Sequence, residues 1–150
     1  MARFVWRLQR VLDIRQKEEQ GLRSGLMALG ERMVILRQEI MVIRTRIRTA
    51  IDELSEKQPT ERVSAQQFFM KFSQYSENEV NIIKTELATV EKQRKKKMDE
   101  LLEKRQSIKA LEKLRAKAKE EFLIESGHKE QQLIDEYTSN KFGTVITAQA

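Results

Sequence analysis

Apolar residues recur at alternating steps of four and three along the first third of the chain: Leu22, Leu26, Leu29, Met33, Leu36, Ile40, Ile43, Ile47, Ala50 and Leu54. A 3,4 repeat draws one narrow apolar seam along a helix, and that seam stays buried only by winding around a partner of similar length. Followed backward, the same track reaches Leu8 and Leu12 through polar Arg15 and Glu19. Val11 and Ile14 widen the apolar stripe where the track turns polar. The pattern predicts a first helix over residues 5–56. Gly21, Gly25 and Gly30 follow the polar break, and each lowers helix propensity by about 1 kcal/mol relative to alanine. They read either as tolerated solvent-facing positions or as marks of a bend or a close approach.

Pro59 is the only proline, and it sits in the polar stretch SEKQPTERVS. Proline biases Gln58 away from helix, so the first helix stops near Glu56 or Lys57. Ser64 and Gln67 have the spacing of a capping box. They predict a turn over 57–63 and a second helix over 64–137, with an irregularity near Ser73–Ser76. Its seam is Val80, Ile83, Leu87, Val90, Leu101, Ile108, Leu111, Ala118 and Phe122. Arg94, Lys97 and Lys104 occupy the missing steps. Either their aliphatic stems snorkel, or Met98, Leu102 and Leu114 take over the contact. At 1.5 Å per residue the helices would be roughly 80 and 110 Å long. A short turn favours an antiparallel hairpin. Residues 138–150 lack heptad order and read as a flexible tail. The expectation is an all-α, single-domain, two-helix antiparallel coiled coil spanning 1–150.

Composition fits a long helical pair better than a globule. Charged residues are 35% and aromatics 6% of the chain, too few large apolar groups for a thick core. Disorder, the other reading of high charge, does not explain apolar positions in register. The chain lacks cysteine, which excludes disulfides and thiolate metal sites and fits a reducing compartment. The start of the chain shows no signal-peptide pattern, and no run of apolar residues is long enough to span a bilayer.

The formal charge of +6 is uneven: residues 92–119 hold twelve Lys or Arg against four acids. This block either keeps the helix soluble or meets an acidic surface. Basic residues beside heptads also suggest a DNA-binding zipper. A zipper, however, places its basic region before an uninterrupted dimer seam, whereas here seam residues follow the block. No direct nucleic-acid partner is therefore expected. A membrane-surface helix is disfavoured because no segment sustains a broad aromatic face.

Catalytic chemistry finds no support. His128 is the only histidine, so with no cysteine there is no partner for it in a metal site, and it reads as a surface residue. No glycine-rich phosphate loop follows a strand. Neither enzyme activity, metal nor cofactor is expected. The other chemically distinctive group is Phe68, Phe69, Phe72 and Tyr75 at the start of the second helix. They either plug the turn end of the hairpin or project one or two anchors for a partner. Arg44, Arg46 and Arg48 lie nearby on the first helix, with Arg44 and Arg48 sharing a stripe.

Both termini resemble a known family. FVWRLQRVLDIRQKEE at 4–19 resembles the opening signature of the flagellar FliJ family, an aromatic-x-aromatic pair followed by a leucine-rich stretch ending in arginine. Phe4, Trp6, Leu8, Val11, Leu12 and Arg15 carry it. LEKLRAKAKEEF at 111–122 and KEQQLIDEYTSNKF at 129–142 are similar to the closing pattern, through Leu111, Glu112, Leu114, Gln131, Asp135 and Glu136. The resemblance implies a two-helix coiled coil like the central stalk of rotary ATPases, in the flagellar type III export apparatus. The implied partners are the hexameric export ATPase, the cytoplasmic domain of the export gate protein and export chaperones. The implied location is the cytoplasmic face of the inner membrane at the flagellar base, held there through partners. By the stalk resemblance, Phe4, Trp6, Leu8, Arg15, Asp135 and Glu136 are the candidates for the ATPase end. Arg44, Ile47, Arg48, Phe69, Phe72 and Tyr75 are the candidates for the gate and chaperone end. The stalk component of virulence-type secretion systems and a generic coiled-coil scaffold are the alternatives.

Overall fold

The computed structural model describes residues 2–149, and the side-chain environments of 2–143. Two helices, α1 (Gln9–Glu56) and α2 (Pro59–Gln149), account for nearly all of it. They pair antiparallel within two compact units, which differs from the single unit the sequence suggests. A hairpin unit comprises Gln20–Leu102, and a terminal unit joins the chain up to Glu19 with the chain from Glu103 onward.

In the hairpin unit the predicted seam is the core. Met33, Leu36 and Val90 form one buried cluster flanked by Leu29, Ile83 and Leu87. Ile40, Ile43 and Val80 form a second, flanked by Ile47 and Ile83. Leu36 is wholly inaccessible to solvent. Ion pairs guard the seam edge: Arg32 Nη2 lies 2.6 Å from Glu86 Oε1, and Arg37 Nη2 lies 3.8 Å from Glu91 Oε1. Ser76 is buried, and α2 runs through the predicted irregularity at 73–76 without a break.

Two of the three polar seam positions are filled by stems, not by neighbouring apolar residues, while Arg94 is exposed. Lys97 and Lys104 are half-buried, whereas Met98, Leu102 and Leu114 are exposed. Long aliphatic stems cover the seam while their ammonium groups reach its edge. Gly25 takes part in this arrangement: a Cβ there would lie 2.6 Å from Lys97 Nζ. Around Gly21 and Gly30 the space is open.

The turn is tighter than predicted, residues 57–58 instead of 57–63. Pro59 is the first residue of α2, where its missing N–H costs nothing and its fixed φ suits a helix start. Gln58 carbonyl accepts from the Glu61 and Arg62 amides at 3.0 and 3.1 Å. Arg62 then closes the end of α1, donating to the carbonyls of Lys57 at 2.9 Å and Ser55 at 3.3 Å. Such carbonyls have no partner within their own helix. The Ser64–Gln67 capping box is therefore not used as a start, because proline and Arg62 have already begun the helix.

The first helix begins at Gln9, not at residue 5. Phe4, Trp6 and Leu8 alternate, which on a helix would send successive members to opposite sides. In the non-helical segment that precedes α1 they can share one side, and all three join the cluster of Leu12, Ile108, Leu111 and Ala118. At the other end, α2 continues past residue 137 to Gln149. No proline interrupts it, and loss of the 3,4 pattern removes packing without removing backbone hydrogen bonds. Residue 150, the last of the predicted tail, lies outside the described residues.

Candidate partner-binding surfaces

In the terminal unit, the residues that carry the opening signature mostly hold the fold. Trp6 and Leu12 are buried against Ile108. The Phe4 ring meets that of Phe122 with centroids 5.5 Å apart, and the Arg115 guanidinium sits 5.6 Å above the Phe4 centroid. Arg115 Nε also donates to Gln9 Oε1 at 2.8 Å. Arg115 is thus a seam residue with both a stacking and a hydrogen-bonding role, a kind of contact that Arg keeps and Lys would not reproduce.

Arg15 lies 3.6 Å from Glu18, which also accepts from Lys104. Arg105 Nε donates to Glu19 Oε1 at 3.3 Å. The hydrogen bond from Lys104 holds the Glu18 carboxyl below its ordinary range, the charges of Lys104 and Arg15 add to this, and desolvation opposes it. In the hairpin unit, the bond to Glu86 raises the already high pKa of Arg32 further.

Asp135 and Glu136 are not brought beside Phe4, Trp6 and Leu8. Phe4 packs on Phe122, and residue 135 follows about 20 Å further along α2 at 1.5 Å per residue. Every residue from 127 to 143 is exposed. Leu133, Ile134, Tyr137 and Phe142 are more than half accessible on this stretch, while Asp135 accepts from Gln131 at 3.1 Å. Of the six candidates for this end, then, Asp135 and Glu136 are open to a partner, Arg15 is half-buried in an ion pair, and the three apolar ones are packed.

The turn end of the hairpin unit divides its aromatics by helical face. Phe69 and Phe72 are half-buried, whereas Phe68 and Tyr75 are 73% and 64% exposed. One pair thus turns inward and the other projects into solvent. Phe68, Phe69 and Phe72 share a groove of about 640 Å³ with Ala50, Leu54 and Ala65. Ile47 packs into the neighbouring core cluster. Arg44 and Arg48 are exposed on a flank of α1, and they do not line that groove.

A second groove in this unit was not foreseen. It measures about 610 Å³ and is lined by Ile35, Val42, Ile82 and Ile83, with Glu39, Glu79 and Arg46 at its margins. Ile35 and Val42 stand seven residues apart, a second apolar stripe beside the seam, and that spacing was the available signal.

Among the described residues, no group of His, Asp and Glu could hold a metal ion, and no helix is long and apolar enough to cross a membrane. Two long helices paired antiparallel, with an apolar seam in each unit, define a coiled-coil protein. The model of the family described as Flagellar FliJ protein matches residues 4–145. The chain belongs to the flagellar FliJ family, a non-catalytic family of flagellar protein export. Neither a curated protein nor a solved structure matches it.

Proposed function

We propose that this chain links the hexameric flagellar export ATPase to the cytoplasmic domain of the export gate protein and assists delivery of chaperone-held cargo. It acts at the cytoplasmic face of the inner membrane, where its partners hold it. The observation that carries this reading is the stretch 127–143 of α2, which stays helical with every residue exposed. Most helical stability in proteins comes from packing of an apolar face, so a partner surface that takes Leu133, Ile134 and Tyr137 would stabilise it. The ring of the ATPase is assigned to this stretch, with Asp135 and Glu136 as its charged contacts. Phe4, Trp6 and Leu8 act there indirectly, by clamping the chain start against α2.

The gate protein and the chaperones are assigned to the hairpin unit. Tyr75 and Phe68 are its exposed aromatic anchors, and Arg44 and Arg48 are exposed charges on α1. Exposed aromatic and arginine side chains are the residue types that dominate binding when a partner buries them. Ile47, Phe69 and Phe72 support these anchors from inside the seam.

Binding of purified variants to the purified ATPase, gate domain and chaperones tests the assignment. Ile134→Ser with Tyr137→Ser should weaken ATPase binding and spare the gate domain. Phe68→Ala with Tyr75→Ala should do the reverse. Equal losses at both partners from either pair would refute the two-ended reading.

A further inference from the structure

Arg115 is a half-buried, fixed guanidinium with no acidic partner. Its carbon centre sits 5.6 Å above the Phe4 ring, and its Nε donates to Gln9 Oε1 at 2.8 Å. Gln9 is held in turn, because its Nε2 donates to Asp13 Oδ1 at 3.0 Å. The amide is thus oriented at both ends, and it takes only one of the five N–H donors that a guanidinium carries. No ion pair among the described residues engages Arg115. Glu112 stands three residues earlier on the same helix, a spacing that permits an ion pair, yet none forms.

Arg3 is exposed and likewise outside every ion pair among the described residues. The fold brings it to the same place: Arg3, Phe4, Val5, Trp6, Gln9 and Arg115 line one groove of about 310 Å³, and none of them is acidic. Two cations in one groove repel each other, and an anion between them relieves that repulsion. The walls beside them are apolar, with Trp6 buried and Val5 exposed.

From this we infer that the groove binds the carboxylate of an acidic side chain, carried by a partner segment with aliphatic residues beside it. A guanidinium fork matches a carboxylate through two parallel N–H···O bonds. The free N–H groups of Arg115 supply the fork, and Arg3 supplies a second charge. Val5 and Phe4 supply the apolar contact for the aliphatic neighbours of the acid. A free phosphate is the poorer fit, because its further oxygens need water or more donors and the apolar walls offer none. Phe4 and Gln9 hold Arg115 in place beforehand, so little side-chain freedom is lost when the carboxylate arrives. The inference rests on this groove alone and is independent of the stretch assigned above to the ATPase ring.

NMR titration of the isotope-labelled full chain with the capped peptide acetyl-Leu-Glu-Leu-amide is the test. The Arg115 Nε–H and Trp6 indole signals should shift and saturate with a Kd of about 1 mM. Acetyl-Leu-Gln-Leu-amide, which has the same shape without the charge, should bind at least about tenfold more weakly. Arg115→Lys keeps the charge but loses the fork, and should weaken the acidic peptide by at least about tenfold. Arg3→Gln changes an exposed position that no hydrogen bond or ion pair of the fold uses, so circular dichroism should be unchanged while binding weakens about threefold. Lys113→Gln, exposed in the same unit but outside the groove, should leave binding as it is. Absence of saturable shifts, or equal binding of the two peptides, would overturn the inference. So would full binding by Arg3→Gln or Arg115→Lys, or a loss in Lys113→Gln as large as in Arg3→Gln, which would reveal a diffuse charge effect. Inorganic phosphate that shifts the same signals as tightly as the acidic peptide would overturn the assignment to a peptide carboxylate. No ATPase is present in this titration, so its failure leaves the proposed function standing.

Discussion

Leu36→Ala is the substitution on which the seam can be tested most sharply. Leu36 is 0% exposed, in contact with the cluster of Met33 and Val90. The change deletes three buried carbons, worth about 2.4 kcal/mol at about 0.8 kcal/mol for each. A cavity contribution adds to this where the surroundings cannot relax, which spreads measured leucine-to-alanine losses over about 2–5 kcal/mol. Here the seam is one side chain thick and open on both flanks, so α1 and α2 can close part of the void. The expected loss is about 2.5–3.5 kcal/mol, a large part of the roughly 5–15 kcal/mol that holds a typical domain together. Urea unfolding followed by far-UV circular dichroism measures it, provided the slope against denaturant is unchanged. Val34→Ala is the control: Val34 is 53% exposed on the same helix and should cost no more than about 0.5 kcal/mol. A Leu36→Ala loss no larger than that of the control would place Leu36 outside the core and refute the seam.

Three further outcomes are expected. Arg62→Ala removes both hydrogen bonds that close the end of α1, and should destabilise the hairpin unit by about 0.5–1 kcal/mol; an unchanged unfolding midpoint would show that water replaces the guanidinium fully. Gly21→Ala and Gly30→Ala should each stabilise by about 0.5–1 kcal/mol, since nothing opposes the new methyl and alanine favours helix. Gly25→Ala should stabilise less, because the Lys97 ammonium must first move aside; a larger gain at Gly25 than at Gly21 would contradict the contact. The Glu18 carboxyl is held below its unfolded pKa, so its contribution is full above the unfolded carboxylate range and disappears as pH falls through its folded value. Melting temperatures of wild type and Glu18→Gln should accordingly differ at neutral pH and converge on acidification; a constant gap would show that the Lys104 bond contributes nothing.

The seam was legible in the sequence because it obeys a single period. Leu22 through Leu54 and Val80 through Phe122 were placed on facing tracks by spacing alone, and the clusters of the hairpin unit are drawn from their members Leu29 through Ile47 and Val80 through Val90. The polar positions were legible only as gaps. Whether Lys97 or Met98 fills the seam depends on how the helices cross, and hydrophobicity pointed the wrong way because it does not count the aliphatic stem of lysine. The start of α1 was misjudged for a related reason. A period of two in Phe4, Trp6 and Leu8 sits directly before a period of three and four, and a helix reading absorbed the first into the second. The turn was misjudged because Arg62 reaches back to Ser55 and Lys57, a contact between two helices that no local propensity records. The candidate contact residues were the least legible. Aromatic and leucine residues at the chain start serve packing as readily as binding, and only burial separates Trp6 from Tyr137.

Trp6 is the only tryptophan in the chain and is 9% exposed in the terminal unit. Intrinsic indole fluorescence therefore reports on that unit alone, while the hairpin unit stays dark to it. A red-shifted emission that precedes the loss of ellipticity during denaturation would reveal the terminal unit opening first, with no label attached to the protein.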